Sequence, residues 1–213
     1  MAGGQWPVRI SRCRTLTTGP WPLTTEFMIT IVSGLPRSGT SLMMQMLVAG
    51  GMTALCDGER AADVDNPRGY LEWERIKQLP SDPGCIAEAE GRAVKVISQL
   101  LLSLPAGHEY RVIFMERPMA EVIASQEQMR RRRGYAEAAN AAATSAAFEK
   151  HLRKVNEWLE SKPYVKTLRV GYHEALNQPK ETAQRVARFL GIELNIAAMA
   201  DQADASLYRN RGK

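Results

Sequence analysis

The chain has little of what would place it among specialised folds. Only three of its 213 residues are cysteine, Cys13, Cys56 and Cys85. An odd number at no metal-like spacing excludes a disulfide scaffold and favours reduced thiols in a reducing, cytoplasmic setting. Long apolar runs are also missing. The longest candidate, Leu42 to Cys56, is broken by Gln45, Gly50, Gly51 and Thr53 and falls short of the roughly 20 residues that cross a bilayer. No membrane span is expected. Aromatics make up 7% of residues, and 28 Lys plus Arg against 23 Asp plus Glu leave a formal charge of only +5. That surplus hints at an anionic partner. Nucleic acid is not expected, because a binding face would need a longer basic stretch with interleaved aromatics.

What remains is 45% apolar and 24% charged, the profile of an ordinary globular domain with a proper core. Residues 1–27 carry three Arg, one Glu and no apolar segment of the kind found in a secretory signal. They show no helical or strand period, so they read as a dispensable extension, with a single domain over 28–213. From Met28 onward, short β-branched runs alternate with helical patterns, as in βαβ units around a parallel sheet. Strands are expected at Ile29–Ser33, Met52–Cys56, Ala93–Ile97, Arg111–Met115 and Val165–Val170. Their nearly continuous apolar character suits a sheet covered on both faces, an α/β fold of three layers. Helices are expected at Thr40–Ala49, Glu72–Gln78, Met119–Arg132, Glu137–Glu160 and Lys180–Leu190. Pro118 suits the first turn of its helix, and Gly191 the stop of the last. Asp57 to Gly69 reads as a surface loop beside the strand ends.

The most informative stretch is Gly34-Leu35-Pro36-Arg37-Ser38-Gly39-Thr40-Ser41, which lies between a strand and a helix. Glycines at its first and sixth positions allow a tight turn and close approach of backbone N–H groups to an anion, to which the helix start adds partial positive charge. A nucleotide phosphate is the expected guest. A Walker A loop would have Lys where Thr40 stands. A triphosphate would therefore lose its main cationic clamp, while Arg37 supplies a charge from the loop itself. A second anion motif lies in Arg111 to Arg130, where a strand ends in Arg117-Pro118 and the following helix carries Ser125, two turns in. Ligands gather at the carboxyl ends of strands in open α/β sheets, so Arg117 and Ser125 can converge on one anion.

With these residues the chain resembles the sulfotransferases, in particular the Gly-x-Pro-Arg-Ser-Gly-Thr-[Ser/Thr]-Leu loop of tyrosylprotein and many bacterial members. The likeness runs from about Met28 to Glu193. It implies a sulfotransferase fold related to the P-loop nucleotide enzymes, and 3'-phosphoadenosine 5'-phosphosulfate (PAPS) as the sulfuryl donor, used without a metal. By the same resemblance Arg37 binds the bridging and sulfuryl oxygens, and Gly34, Pro36, Ser38, Gly39, Thr40 and Ser41 form the loop around the 5'-phosphate. Arg117 and Ser125 bind the 3'-phosphate. Val165 to Glu193 is similar to the family's late strand and helix, which makes Tyr172 a candidate for stacking on adenine; His173-Glu174 replaces the usual acidic pair. Arg209 and Arg211 partly match a C-terminal Arg-Lys-Gly that encloses the 3'-phosphate in cytosolic members. Arg130 to Arg133 either helps enclose that phosphate or is a solvated helix end.

Transfer to a hydroxyl or amine needs a group to take the acceptor's proton, usually a His or carboxylate within hydrogen-bond reach. In tyrosylprotein sulfotransferases a Gly-Glu-Glu-Thr-Arg segment carries the base, and Glu59 falls near that register. Asp57 and Glu72 are its rivals, Glu72 because Asn-Pro-Arg-Gly-Tyr-x-Glu recurs in bacterial members. His108, His151 and His173 read as structural or exposed. Lys95 falls in a strand of the type that carries a catalytic lysine at its end, but several residues out of register, and is left outside the expected site. Two other readings stand beside a sulfotransferase: a P-loop kinase or hydrolase, and a nucleotide-binding module without catalysis. The acceptor is not specified by any motif.

Overall fold

A computed structural model describes residues 28–59, 63, 69–132, 134 and 140–203. The extension 1–27, Arg133 and the terminal Arg209 and Arg211 lie outside the described residues.

The strand β1 (Met28–Gly34) is buried along its whole length, as its β-branched run requires. It lies at the middle of a four-stranded sheet with β2 (Ala93–Lys95), β3 (Glu109–Glu116) and β4 (Val165–Gly171), in the order β2-β1-β3-β4. All three pairings are parallel. Successive side chains of a strand point to opposite faces, and each face has its own core. Ile29, Ile31, Val94, Val112 and Phe114 pack on one side with Val155 and Leu159 of helix α4 (Ala141–Ser161) and Leu101 of helix α2 (Ser98–Leu101). Val32, Ile113, Met115 and Val170 pack on the other. There they meet Met43, Met44, Met46 and Leu47 of α1 (Thr40–Ala49) and Ala183, Val186 and Leu190 of α6 (Pro179–Leu190). The result is the expected α/β fold of three layers. The remaining helices are α3 (Met119–Arg132), α5 (Tyr172–Asn177) and α7 (Ile196–Ala200). Among the described residues, no helix is long and apolar enough to cross a membrane.

The strand order matters for function. From β1 the chain crosses to β2 on one side, while β3 lies on the other side of β1 and leads on to β4. Such a reversal opens a crevice beyond the carboxyl ends of the two central strands. The loop with Arg37 follows β1, and Arg117 follows β3.

Several elements differ from expectation. Met52–Cys56 is not a strand: it makes a single bridge, Ala54 to Ala93, with Leu55 N–H donating to the Ala93 carbonyl at 2.8 Å. The ladder stops because Asp57 turns away to bond the backbone of Glu72 and Glu74. β2 ends at Lys95, short of Ile97, which is 46% exposed and opens α2. The helix expected from Glu72 is a 3-10 segment, Glu74–Gln78, and a second covers Pro83–Ala89. The long helix begins at Ala141, where the Asn140 side chain accepts from the Ala143 N–H; residues 137–139 are outside the described set. Val165–Gly171 runs directly into α5, an unexpected helix that places Tyr172 and His173 in its first turn.

Candidate active site

The loop after β1 turns tightly, with Ser38 N–H donating to the Leu35 carbonyl at 3.1 Å. Gly34 has φ of 150°, and a Cβ on it would stand 2.4 Å from Ser38 Oγ and 2.6 Å from the Met115 carbonyl of β3. Gly39 has φ of 103°, and a Cβ there would reach Tyr172 Cδ2 at 2.5 Å. Both glycines are therefore demanded by the close approach of backbone and ring, as well as by dihedral angle. Gly39 precedes α1 with no side chain capping the helix start. The first N–H groups of a helix have no partner within it, so they point out of the turn as donors. The Ser38 hydroxyl is buried without a hydrogen-bond partner, and Pro36 is exposed. Together, an uncapped helix start, an orphaned buried hydroxyl and glycines with no room for a Cβ fit a bound phosphate.

Arg37 is the distinctive residue of the loop. Its φ of 72° is a left-handed value that a non-glycine residue adopts at a cost of roughly 1–3 kcal/mol. Contacts from the second motif hold it there. Arg37 Nε donates to Ser125 Oγ at 3.0 Å, and Arg117 Nη1 donates to the Arg37 carbonyl at 3.1 Å. Ser125 is 2% exposed. The Arg117 guanidinium lies 4.5 Å from the centre of the Tyr172 ring, a cation-π distance. Burial pushes the Tyr172 phenol above its usual range, against the opposing pull of Arg117 and Arg37, so it remains a neutral aromatic surface. Arg37, Gly39, Arg117, Ser125 and Tyr172, taken from three separate stretches, thus form one cluster at the carboxyl edge of β1, β3 and β4.

On the other side of the loop stands Lys95, which the sequence reading left out. Because β2 stops at Lys95, this residue occupies a strand end after all. Its ammonium donates to Glu72 Oε1 at 2.8 Å, to Ser41 Oγ at 3.2 Å and to the Tyr70 carbonyl at 3.4 Å. Its side chain is only 9% exposed. A buried ammonium needs such partners, and they link Glu72 to the first turn of α1. Its place as the last residue of β2 is the feature that marks it.

The three carboxylate candidates are placed differently. Glu72 reaches the loop through Lys95. Asp57 accepts from the backbone N–H of Glu59 and of Glu74. Desolvation would raise its pKa, but those N–H groups outweigh it and hold the carboxyl below its usual range. Glu59 is exposed, and its backbone N–H donates to Asp57. Of the histidines, His108 meets Glu90, His151 meets Ser98 and His173 meets Glu121. Arg131 pairs with Glu127 at 3.0 Å and its side chain is 72% exposed.

A sequence model of the sulfotransferase domain matches residues 29–210. The chain belongs to the sulfotransferase family. Among curated proteins no sequence matches it. Among solved structures it is similar to mouse sulfotransferase SULT7A1 complexed with PAP, with a TM-score of 0.53 and 20% identity over 88% of this chain and 67% of that one. The sulfotransferase domain of the Synechococcus PCC 7002 olefin synthase matches with a TM-score of 0.50 and 15% identity, covering 92% of this chain and 85% of that one. At these identities the likeness is one of fold. It assigns this sulfotransferase the same central architecture.

Proposed function

We propose that this chain transfers a sulfuryl group from PAPS to a hydroxyl or amine acceptor, in the cytoplasm and without a metal. The observation that carries the reading is the joining of two anion motifs: Arg37 bonds Ser125, and Arg117 bonds the Arg37 carbonyl. A nucleotide with phosphates on both ends of its ribose calls for two such cationic points held at a fixed separation. In the transfer, the acceptor oxygen or nitrogen bonds to sulfur as the bond from sulfur to the 5'-phosphate oxygen breaks, and the acceptor loses a proton.

The residues divide that work. Gly34, Ser38, Gly39, Thr40 and Ser41 offer backbone N–H groups and hydroxyls to the 5'-phosphate, and Arg37 stabilises negative charge on the leaving oxygen. Arg117 and Ser125 take the 3'-phosphate, and Tyr172 offers an aromatic face to the adenine. Lys95 adds a second cation beside Ser41. The proton goes to a carboxylate. Glu59 is the family-register candidate, and Asp57 and Glu72, the latter coupled to the loop through Lys95, are its rivals.

Glu59→Gln, Asp57→Asn and Glu72→Gln separate them. The true base is expected to lose at least about 100-fold in kcat, the scale of general-base catalysis, while the other variants keep turnover within a few-fold. Arg117→Ala is expected to raise the donor KM by at least about tenfold, the worth of a charge-assisted hydrogen bond, and unchanged donor affinity would contradict its role. The reaction itself is tested by incubating the protein with sulfur-radiolabelled PAPS and a panel of phenols, sugars, lipids and tyrosine peptides. Transfer of label to any of them supports the reading, and donor binding with no transfer across the panel favours a non-catalytic module.

A further inference from the structure

Glu121 is a buried carboxylate that the donor site as described does not use. It lies on α3 one turn before Ser125, and residues four apart share a helix face. That face meets both site arginines: Ser125 takes Arg37 Nε at 3.0 Å, and Glu121 takes Arg117 Nε at 2.9 Å. Glu121 is 5% exposed and the Arg117 side chain 7%, so this pair is shielded from water, unlike an ordinary surface pair on a helix. A second partner approaches from another element, since His173 Nε2 in the first turn of α5 lies 3.0 Å from the same carboxylate.

A carboxylate beside an anion site is a cost unless its charge is already engaged, and here two partners engage it. What it provides is orientation. The guanidinium of Arg117 is held along one edge by Glu121, across its face by Tyr172 at 4.5 Å, and through Nη1 by the Arg37 carbonyl at 3.1 Å. A planar fork fixed at edge and face is held in one orientation. We infer that Glu121 is a positioning residue for the donor's 3'-phosphate, setting the orientation of Arg117 and, through the Arg37 carbonyl, the join between the two phosphate motifs. This rests on the donor reading above and goes beyond it: it assigns discrimination between 3'-phosphorylated and unphosphorylated adenine nucleotides to a residue that touches neither.

The test compares the full chain with its Glu121→Gln variant by calorimetric binding of 3'-phosphoadenosine 5'-phosphate (PAP) and adenosine 5'-phosphate. The variant is expected to lose about tenfold or more in affinity for PAP, as for a weakened charge-assisted hydrogen bond, while adenosine 5'-phosphate binds within about twofold of wild type. A purely structural role would weaken both nucleotides alike, and that result, or an unchanged preference for PAP, overturns the inference. Arg117→Lys keeps the cation but lacks the edge that Glu121 holds, so it is expected to lose the same preference. It answers the question should the Gln variant fold poorly, and full retention of the preference by Arg117→Lys also overturns the inference. Wild-type protein with no preference for PAP would instead sink the donor reading itself.

Discussion

Arg37→Ala is expected to lower kcat for sulfuryl transfer by about 100- to 1000-fold, or roughly 3–4 kcal/mol of barrier, the usual consequence of deleting a pre-organised donor aimed at developing charge. The expectation rests on conformation as well as charge. Arg37 is held at φ of 72° by contacts from the opposite motif, and strain of this kind persists where the surrounding structure fixes it. Folding should barely notice the change. The side chain is half-buried and gives up one hydrogen bond to Ser125, about 1 kcal/mol of stability. Arg37→Lys should rescue little, because a lysine lacks the planar fork that meets a hydroxyl and an anion together. Steady-state kinetics beside a denaturant unfolding curve check both halves. An Arg37→Ala enzyme within a few-fold of wild-type turnover would remove this residue from the chemistry.

Gly34→Ala carries the largest expected cost to the fold. The new Cβ would meet the Met115 carbonyl at 2.6 Å, a backbone atom of the neighbouring strand, in the last register pair of β1 and β3. Backbone cannot swing aside as a flexible side chain does. Relief requires β1 to part from β3 at the edge where the phosphate loop begins. Dihedral strain and overpacking together should cost about 2–5 kcal/mol, read as a lower denaturant midpoint, with nucleotide binding lost as well. Gly51→Ala is the control: Gly51 also has a positive φ, 102°, but its Cβ would have nothing within 4 Å. It should show the dihedral strain alone, about 1 kcal/mol. Equal losses at the two positions would mean that the contact with Met115 contributes nothing.

Much of the architecture was legible because it is written in local pattern. The buried run of β1, the glycine turn and the start of α1 follow one another within a single stretch, and Arg117 and Ser125 are spaced by two helical turns. Residues whose position depends on contacts far along the chain were harder to read. Lys95 looked out of register because β2 was expected to continue to Ile97; the strand stops earlier, with Val96 making the last bond, to Val32, while β1 runs on to Gly34 beside β3. Met52–Cys56 has the composition of a strand, yet Asp57 draws the chain into the turn with Glu72 and Glu74 after one bridge. Glu121 gave no signal of its own. An acidic residue in the first turn of a helix is an ordinary complement to the helix dipole, and only its contacts with Arg117 one turn earlier and with His173 from a distant segment single it out.

The central claim is that the crevice beyond β1 and β3 holds a nucleotide phosphorylated at both the 3' and 5' positions. Calorimetric titration of the full chain with PAP, and separately with ATP and magnesium, tests it directly. Binding of PAP at least tenfold tighter than ATP, unaffected by magnesium, is the predicted result. Tighter binding of ATP with magnesium, and indifference to the 3'-phosphate, would contradict it.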